Sequence, residues 1–257
     1  MNRQSQAELA AYAAAAVAIA REAGEKSKQY FRSDFTVELK SDNTPVTVAD
    51  RETEALIRNR LRSQFPDHAV LGEEAGLDGP DSAFRWIIDP IDGTKSFIHG
   101  IPLYTELIAL TYHELPIVGV IHNPVLAETV WAWQEGGCYY NGALTRVRDT
   151  HDLGEAWVQM PDPAELARRR PEFCARLLGS VGAARTWADA HGYLLVATGR
   201  ADACLDPIFS PWDVAPMYPI IEEAGGRATD FSGTRQPLGD SLIAGTPRIQ
   251  EQILALV

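Results

Sequence analysis

The hydrophobic pattern of the first thirty residues is helical. Residues 9–20 form an apolar run rich in alanine, and apolar positions continue through Tyr30 and Phe31. Alanine is the best helix former, so this pattern predicts one N-terminal helix. A run of twelve residues is too short to span a bilayer, and Glu8 stands where a signal peptide would need a basic leader. We therefore expect no signal peptide and no membrane span here.

The next segment combines a strand pattern with a helix-start signal. Phe35–Lys40 alternates between apolar and polar residues, which predicts a strand, and residues 41–45 are typical of a loop. Thr47 and Asp50 have the spacing of a helix capping box. The second predicted helix ends before Pro66. Its apolar stripe consists of Leu56, Ile57, Leu61 and Phe65.

The middle of the chain carries apolar, β-rich runs that turns separate. Runs of this kind, broken by His-Glu-Leu-Pro and by Asn-Pro, are typical of an antiparallel meander. The predicted strands are Leu103–Leu110, Ile117–Ile121 and Thr129–Trp133.

From Leu153 onwards the pattern changes to alternating strands and helices. Pro219 should kink the helix that begins near Trp212, because proline removes a helical hydrogen bond. The predicted elements are a strand at Trp157–Met160, a helix at Pro163–Leu178, a buried helix at Tyr193–Ala197, a strand at Ala203–Asp206, the helix from Trp212, a strand at Leu242–Ala244 and a helix from Pro247.

The candidate chemistry begins where a buried strand is predicted to end. Residues 86–88 are apolar, and Pro90 cannot donate to a strand ladder, so the strand should end at Asp89. Asp92 then follows three residues later. Two carboxylates this close need a compensating cation if they are desolvated, and a hard divalent cation is the natural partner. A simple Asx turn is the alternative interpretation.

Residues around this pair extend the candidate site. Gly93 allows close backbone approach, and Thr94 opens a short helical turn whose free N–H groups suit a phosphate. Three further acids lie at predicted element ends: Glu73, Asp50 and Asp213. Each also has an ordinary structural interpretation. Glu73 fits an acidic loop end, Asp50 fits a helix cap, and Asp213 fits a favourable position at a helix start.

Three separated motifs resemble one enzyme family. The segments G-E-E, D-P-I-D-G-T and W-D, in this order along nearly the whole chain, are similar to those of the inositol-monophosphatase superfamily of magnesium-dependent phosphatases. The resemblance implies a layered α/β sandwich (αβαβα) like that of inositol monophosphatase and fructose-1,6-bisphosphatase. It implies one compact unit, in which residues 1–145 carry most metal ligands and residues 146–257 carry Asp213 and the substrate pocket. It also implies a homodimer.

The resemblance implies a metal centre with two or three Mg²⁺ ions. One would be held by Glu73, Asp89 and the backbone carbonyl of Ile91. A second would be held by Asp89, Asp92 and Asp213, and a third by Glu73 and water. This all-oxygen set matches the preference of Mg²⁺.

The resemblance also implies catalytic roles. Thr94, hydrogen-bonded to Asp50, would orient and deprotonate the attacking water, with Glu73 beside it. The N–H groups of Gly93 and Thr94 would hold the phosphate.

The substrate is indicated by the second half of the chain. Residues 185–201 resemble the pattern R-T-W-G-D-x-Y-G-Y-x-x-V-A-T-G-R-A of the histidinol-phosphatase branch, as do residues 95–97 after the central motif. The chain departs from this pattern with Ala188 for Gly and His191 for Tyr. The implied reaction is hydrolysis of L-histidinol phosphate to L-histidinol and phosphate, in histidine biosynthesis.

The chemistry of the candidate pocket agrees with that substrate. Histidinol phosphate carries an ammonium group and an imidazole, and Asp189 and Asp206 could pair with a cationic group. Arg185 is a further candidate, although Arg185 and Asp189 could instead form a mutual salt bridge. Three alternatives stay open: an inositol-1-phosphate phosphatase, a 3′,5′-bisphosphate nucleotidase, and a non-catalytic cation-binding protein.

The charge and the cysteine content of the chain limit the classes of partner that it is expected to bind. Lys plus Arg number 23 against 35 Asp plus Glu, a formal charge of −12, which argues against nucleic acid or an anionic membrane surface. The three cysteines lack the spacing of a disulfide framework or a zinc site, so a reducing cytoplasm fits best. The expected partner is therefore a small-molecule phosphate ester.

Overall fold

The computed structural model describes residues 4–34, 36–39, 45–187 and 189–257. Phe35, Lys40 and Ala188, which enter the sequence predictions, lie outside the described residues. A short antiparallel pair, β1 (Val37–Leu39) and β2 (Pro45–Thr47), precedes the main sheets.

The first large sheet contains the predicted meander. Its strands are β3 (Ala69–Gly72), β4 (Gly76–Asp78), β5 (Phe84–Asp92), β6 (Thr105–Tyr112), β7 (Leu115–Asn123), β8 (Glu128–Trp133), β9 (Gly137–Tyr140) and β10 (Ala143–Thr145). Their spatial order is β10-β9-β8-β7-β6-β5-β3-β4. All neighbours run antiparallel except β3 and β5. That pair is parallel because the chain turns back through the edge strand β4 before it enters β5.

The second sheet is mixed, as the resemblance implies. Its strands are β11 (Trp157–Gln159), β12 (Ala183–Arg185), β13 (Ala203–Asp206), β14 (Arg227–Thr229) and β15 (Leu242–Gly245). Their order is β12-β11-β13-β15-β14. β11 runs parallel to β12 and β13, whereas β15 runs antiparallel to β13 and β14.

Helices lie outside and between the sheets. They are α1 (Gln6–Ser27), α2 (Val48–Gln64), α3 (Thr94–Ile98), α4 (Pro163–Arg169), α5 (Pro171–Ser180), α6 (Asp189–Ala197), α7 (Pro211–Val214), α8 (Met217–Glu223) and α9 (Pro247–Leu254). The predicted N-terminal helix is confirmed as α1, and the predicted capping box at Thr47 and Asp50 begins α2.

The alternation of side chains along the strands produces the layers. On β5, Trp86 and Ile88 pack with α1 and α2, while Ile87 faces the other way toward Ala215, which follows α7. The helices α6 and α8 then share one core with both sheets, in which Tyr193 is fully buried.

The outer face of the second sheet is covered by α4, α5 and α9. Leu205 of β13 packs there with Leu166, Phe173 and Ile249. The resulting order of helix, sheet, helix, sheet and helix confirms the predicted layered α/β sandwich. The three cysteines are buried and unpaired.

The end of β5 differs from the sequence prediction. That prediction ends the strand at Asp89, whereas β5 continues to Asp92. The pairing of β5 with β6 shifts register between Asp89 and Asp92, so Pro90 lies in a β-bulge. Proline is tolerated there because a bulge interrupts the hydrogen-bond ladder.

Two predicted helices are each divided by a proline. Pro171 separates α4 from α5, because proline disfavours a helical backbone in the preceding residue, and Arg170 has φ −139° and ψ 62°. The second break falls at Ala215 and Pro216, between α7 and α8. This break agrees with the kink predicted from Pro219, because a proline there cannot donate the helical hydrogen bond to the carbonyl of Ala215.

Candidate active site

Three carboxylates meet at the bulge of β5. Asp89, Asp92 and Asp213 each offer an oxygen, and these oxygens lie within 4.8 Å of one another. In a regular strand, residues three apart point to opposite faces. The extra residue of the bulge brings Asp89 and Asp92 to the same face, and the N–H of Ile91 donates to Asp89 Oδ1 at 2.9 Å.

Hydrogen bonds fix the orientation of two of these side chains. Asp213 lies in the first turn of α7, where its Oδ2 accepts from the N–H of Ser210 at 2.8 Å in a capping box. Asp92 Oδ2 accepts from Thr105 Oγ1 at 3.1 Å and from the N–H of Ala190 at 2.8 Å. Each carboxylate is therefore held by a contact outside the cluster.

The electrostatics of the cluster favour a bound cation. Burial, with help from neighbouring carboxylates, raises the pKa of Asp89 and of Asp92 well above the usual range. Burial also raises the pKa of Asp213 to about 7. Desolvated carboxylates this close ionise together only beside a positive charge, and an oxygen-only donor set is the one that Mg²⁺ prefers. The residues present therefore fit Mg²⁺.

The cluster lines a cavity of about 500 Å³. Glu73, in the turn after β3, lines the same cavity, together with Ile91, Gly93 and Thr94. The sequence-predicted metal and phosphate residues are thus brought together in one cavity.

Gly93 occupies a position that a side chain would not tolerate. It precedes α3 with φ +81°, in the left-handed region that favours glycine. A Cβ there would lie 2.8 Å from Asp189 Oδ2. The backbone can therefore approach both the cavity and Asp189.

The predicted hydrogen bond between Thr94 and Asp50 is wrong for this structure. The hydroxyl of Thr94 donates to the carbonyl oxygen of Ile91 at 3.1 Å. Asp50 Oδ2 accepts from the N–H and the hydroxyl of Thr47, at 2.7 and 2.6 Å, because Asp50 completes the capping box of α2. Asp50 Oδ1 is buried without a hydrogen-bond partner among the described residues, and burial raises the pKa of Asp50.

The predicted substrate residues divide into two groups. Asp189, at the start of α6, and Asp206, at the end of β13, line the cavity. Arg185 does not line it in the described part of the chain. Its guanidinium lies over the ring of Trp157, 5.4 Å from the centroid, and donates to the carbonyl of Ala184 at 2.7 Å. The suggested helix pair with Asp189 is not formed, because Arg185 belongs to β12 rather than to α6.

Sequence reasoning missed three charged residues that line the cavity. Lys95, Asp162 and Glu165 also line it, and Lys95 Nζ lies 3.7 Å from Asp162 Oδ2. Asp162 caps α4 by accepting from the N–H of Glu165 at 2.9 Å. The pattern Asp-Pro-Ala-Glu signals a helix start, but that signal gives no information about which cavity the helix end faces.

The described residues contain no helix that is both long enough and apolar enough to cross a membrane.

Comparison with known proteins gives consistent matches over nearly the whole chain. The model of the inositol monophosphatase family matches residues 8–257. The chain is 38% identical over 247 residues to a histidinol-phosphatase of Chlorobaculum parvum, covering 94% of this chain and 95% of that protein. It is 34% identical over 230 residues to an inositol-1-monophosphatase of Mesorhizobium japonicum, covering 87% and 86%. The solved structure of the extragenic suppressor protein suhB of Bartonella henselae matches with a TM-score of 0.91 and 28% identity, over 96% of this chain and 98% of that chain.

Proposed function

Because this chain belongs to the inositol monophosphatase family and is a phosphatase of that family, we propose that its substrate is L-histidinol phosphate. The reaction would be Mg²⁺-dependent hydrolysis to L-histidinol and phosphate, a step of histidine biosynthesis. The observation that carries the choice of substrate is the pair of buried carboxyl groups, Asp189 and Asp206, that line the same cavity as the metal cluster.

These two carboxyl groups are suited to binding a cationic group. Burial raises the pKa of Asp206 to about 7. Asp189 is buried too, and burial raises its pKa, although nearby Lys95 opposes the shift. A substrate ammonium would stabilise the ionised form of either carboxyl group. An inositol ring would offer only hydroxyl groups.

The carboxylates of the cluster would supply the ligands of the metal. Asp89, Asp92 and Asp213 would hold Mg²⁺, with Glu73 and the carbonyl of Ile91 beside them. When bound, Mg²⁺ neutralises charge on the phosphate and lowers the pKa of the attacking water.

Residues of the chain would bind the phosphate and orient the attacking water. The N–H groups of Gly93 and Thr94 would bind the phosphate oxygens. Since the hydroxyl proton of Thr94 is donated to Ile91, the lone pairs of Thr94 Oγ1 can accept a hydrogen bond from the attacking water. Glu73 would accept the proton of that water. Asp50 would act by capping α2 and so positioning the site.

A second candidate is hydrolysis of inositol 1-phosphate, which the similarity to the inositol-1-monophosphatase relative favours. A 3′,5′-bisphosphate nucleotidase would need more positive charge. Lys95 is the one cationic residue among the described residues that line the cavity.

The test is phosphate release with Mg²⁺ from L-histidinol phosphate, inositol 1-phosphate and adenosine 3′,5′-bisphosphate, measured side by side. We expect kcat/KM for histidinol phosphate to exceed the others by about tenfold or more, equivalent to about 1.4 kcal/mol in transition-state binding. A preference for inositol 1-phosphate would replace the proposal with the second candidate. Release from none of the three would contradict both.

A further inference from the structure

A buried ion pair lies on α2, outside the cavity. Glu54 and Arg58 are one helical turn apart, and Arg58 Nε lies 2.7 Å from Glu54 Oε1. Their side chains are only 2% and 7% exposed. A buried ion pair is weak evidence for stability, because desolvation opposes the attraction between the charges.

Both members bind the β3–β4 hairpin, whose turn carries Glu73. Glu54 Oε2 accepts from the N–H of Glu74 at 2.7 Å, and Oε1 accepts from the N–H of Ala75 at 2.9 Å. Arg58 donates to the carbonyl of Val70 at 3.3 Å and to the carbonyl of Gly76. The pair thus binds both strands of the β3–β4 hairpin and the turn between them.

The geometry leaves this turn little freedom. Gly72 pairs with Gly76 across the hairpin, so Glu73, Glu74 and Ala75 form its three-residue turn. On the other side, the N–H of Glu73 donates to the carbonyl of Ile88 at 3.3 Å. The backbone of Glu73 is therefore held by β5 on one side and followed directly by amides that Glu54 binds.

At Gly72 the backbone of the hairpin packs closely against the ion pair. A Cβ at this position would lie 2.7 Å from both Arg58 Nη2 and Glu54 Oε1. The start of the turn therefore touches the ion pair directly.

We propose that Glu54, with Arg58 as its counter-ion, is a positioning residue that fixes the Glu73 carboxylate at the metal centre and thereby sets the affinity for Mg²⁺. The inference rests on the proposed metal centre. Arg58 neutralises Glu54, so the ion pair adds no net negative charge to an already acidic site. Neither residue lines the cavity among the described residues, so their effect is exerted through the turn.

The test measures Mg²⁺ binding to the full chain by isothermal titration calorimetry, without substrate. In Glu54→Gln, the amide nitrogen of the new side chain cannot accept from the turn. Changing a group that supports a metal ligand typically lowers metal affinity by 10- to 100-fold, so we expect a dissociation constant about 10- to 100-fold higher. Since Glu54→Gln leaves Arg58 buried without a counter-ion, the double variant E54M/R58M provides a second test in which no buried charge remains.

The matched control is the exposed ion pair that joins α1 and α2. Arg60 Nη2 lies 2.6 Å from Glu22 Oε1, and the pair does not contact the hairpin turn. The variant E22Q/R60Q should bind Mg²⁺ like the unaltered chain. If folded E54M/R58M also binds like the unaltered chain, the positioning role is overturned.

Substitution of Glu73 separates positioning from a general effect on stability. If Glu54 acts through Glu73, then E54Q/E73Q should bind Mg²⁺ no more weakly than Glu73→Gln alone. A further loss of affinity in that background would overturn the proposed route. An unaltered chain that binds no Mg²⁺ would overturn the proposed metal centre and the inference with it, whereas binding without histidinol phosphatase activity would affect only the proposed substrate.

Discussion

Asp206 is expected to bind the cationic group of the substrate, and its raised pKa makes that binding depend on pH. Its Oδ1 accepts from the N–H of Ile208 at 2.9 Å, and burial, with smaller effects from Asp189 and Asp213, raises its pKa to about 7. A carboxyl group with a raised pKa is ionised above that value and neutral below it. Asp206 can therefore bind a cationic group fully only above about pH 7.

Asp206→Asn tests this role. We expect the KM for histidinol phosphate at pH 8 to rise by about tenfold, about 1.4 kcal/mol, because a charged hydrogen bond is lost. In the unaltered chain the KM should rise as the pH falls from 8 to 6, and the variant should lose the part of that rise that inositol 1-phosphate does not share. Inositol 1-phosphate is the control, since its phosphate also titrates but its ring carries no cation. Equal changes with both substrates would contradict the role.

Gly93→Ala tests the close approach at the phosphate end. The new Cβ would lie 2.8 Å from Asp189 Oδ2, and φ +81° is unfavourable for alanine. We expect kcat/KM to fall by about 100-fold, because small displacements of reacting groups have effects of that size. Gly225→Ala is the matched control, with φ +82° and no atom within 4 Å of its Cβ. It should lose stability and keep kcat/KM, and equal losses of activity in both variants would show that strain alone is responsible.

At the scale of elements, periodicity and capping signals predicted the helices and strands that bury one face. The capping box at Thr47 and Asp50 and the apolar run before Asp89 are examples. Prolines were harder to place. Pro90 was expected to end β5, yet it lies in a bulge where a backbone N–H has no regular partner. The sequence shows that a proline lacks a backbone N–H donor, but it does not show whether the fold needs a donor at that position.

The candidate site shows the same limit. Asp89, Asp92 and Asp213 could be selected because the motifs carry them, and the structure brings them together. Asp162 carries only a local helix-start signal, and its place at the cavity depends on how α4 packs on the second sheet. Arg185 was selected by motif alone, but its strand directs it toward Trp157.

The buried histidine of α6, His191, makes the stability of the fold depend on pH. His191 is 4% exposed, and burial lowers its pKa to about 4. The unfolded chain binds this proton below a pKa of about 6.5, so the contribution of His191 to stability is present above that pH and lost as the pH falls toward 4. At pH 5 the loss is about 2 kcal/mol.

His191→Gln should therefore reduce the loss of unfolding free energy between pH 7 and pH 5 by about 2 kcal/mol, as measured by urea denaturation. Carboxyl groups titrate in both proteins and cancel in the difference. An unchanged dependence in His191→Gln would mean that a buried, neutral His191 does not contribute to acid sensitivity.

At the scale of the whole molecule, the metal cluster joins parts of the chain that are distant in sequence. Asp89 and Asp92 come from β5 of the first sheet, and Asp213 comes from α7. Further acidic residues that line the cavity come from the second half: Asp162 at the N-cap of α4, Glu165 in α4, Asp189 in α6 and Asp206 in β13. The account requires the first group to bind the metal and the second to bind the substrate.

The most direct test of this division compares Mg²⁺-dependent phosphate release from histidinol phosphate by the unaltered chain, Asp89→Asn and Asp162→Asn. Asp162 is the control because it lines the same cavity outside the metal cluster. We predict that Asp89→Asn folds but loses kcat by about 1,000-fold, since several kcal/mol of charge stabilisation are lost, while Asp162→Asn keeps kcat. An Asp89→Asn variant with undiminished, Mg²⁺-dependent activity would contradict the account.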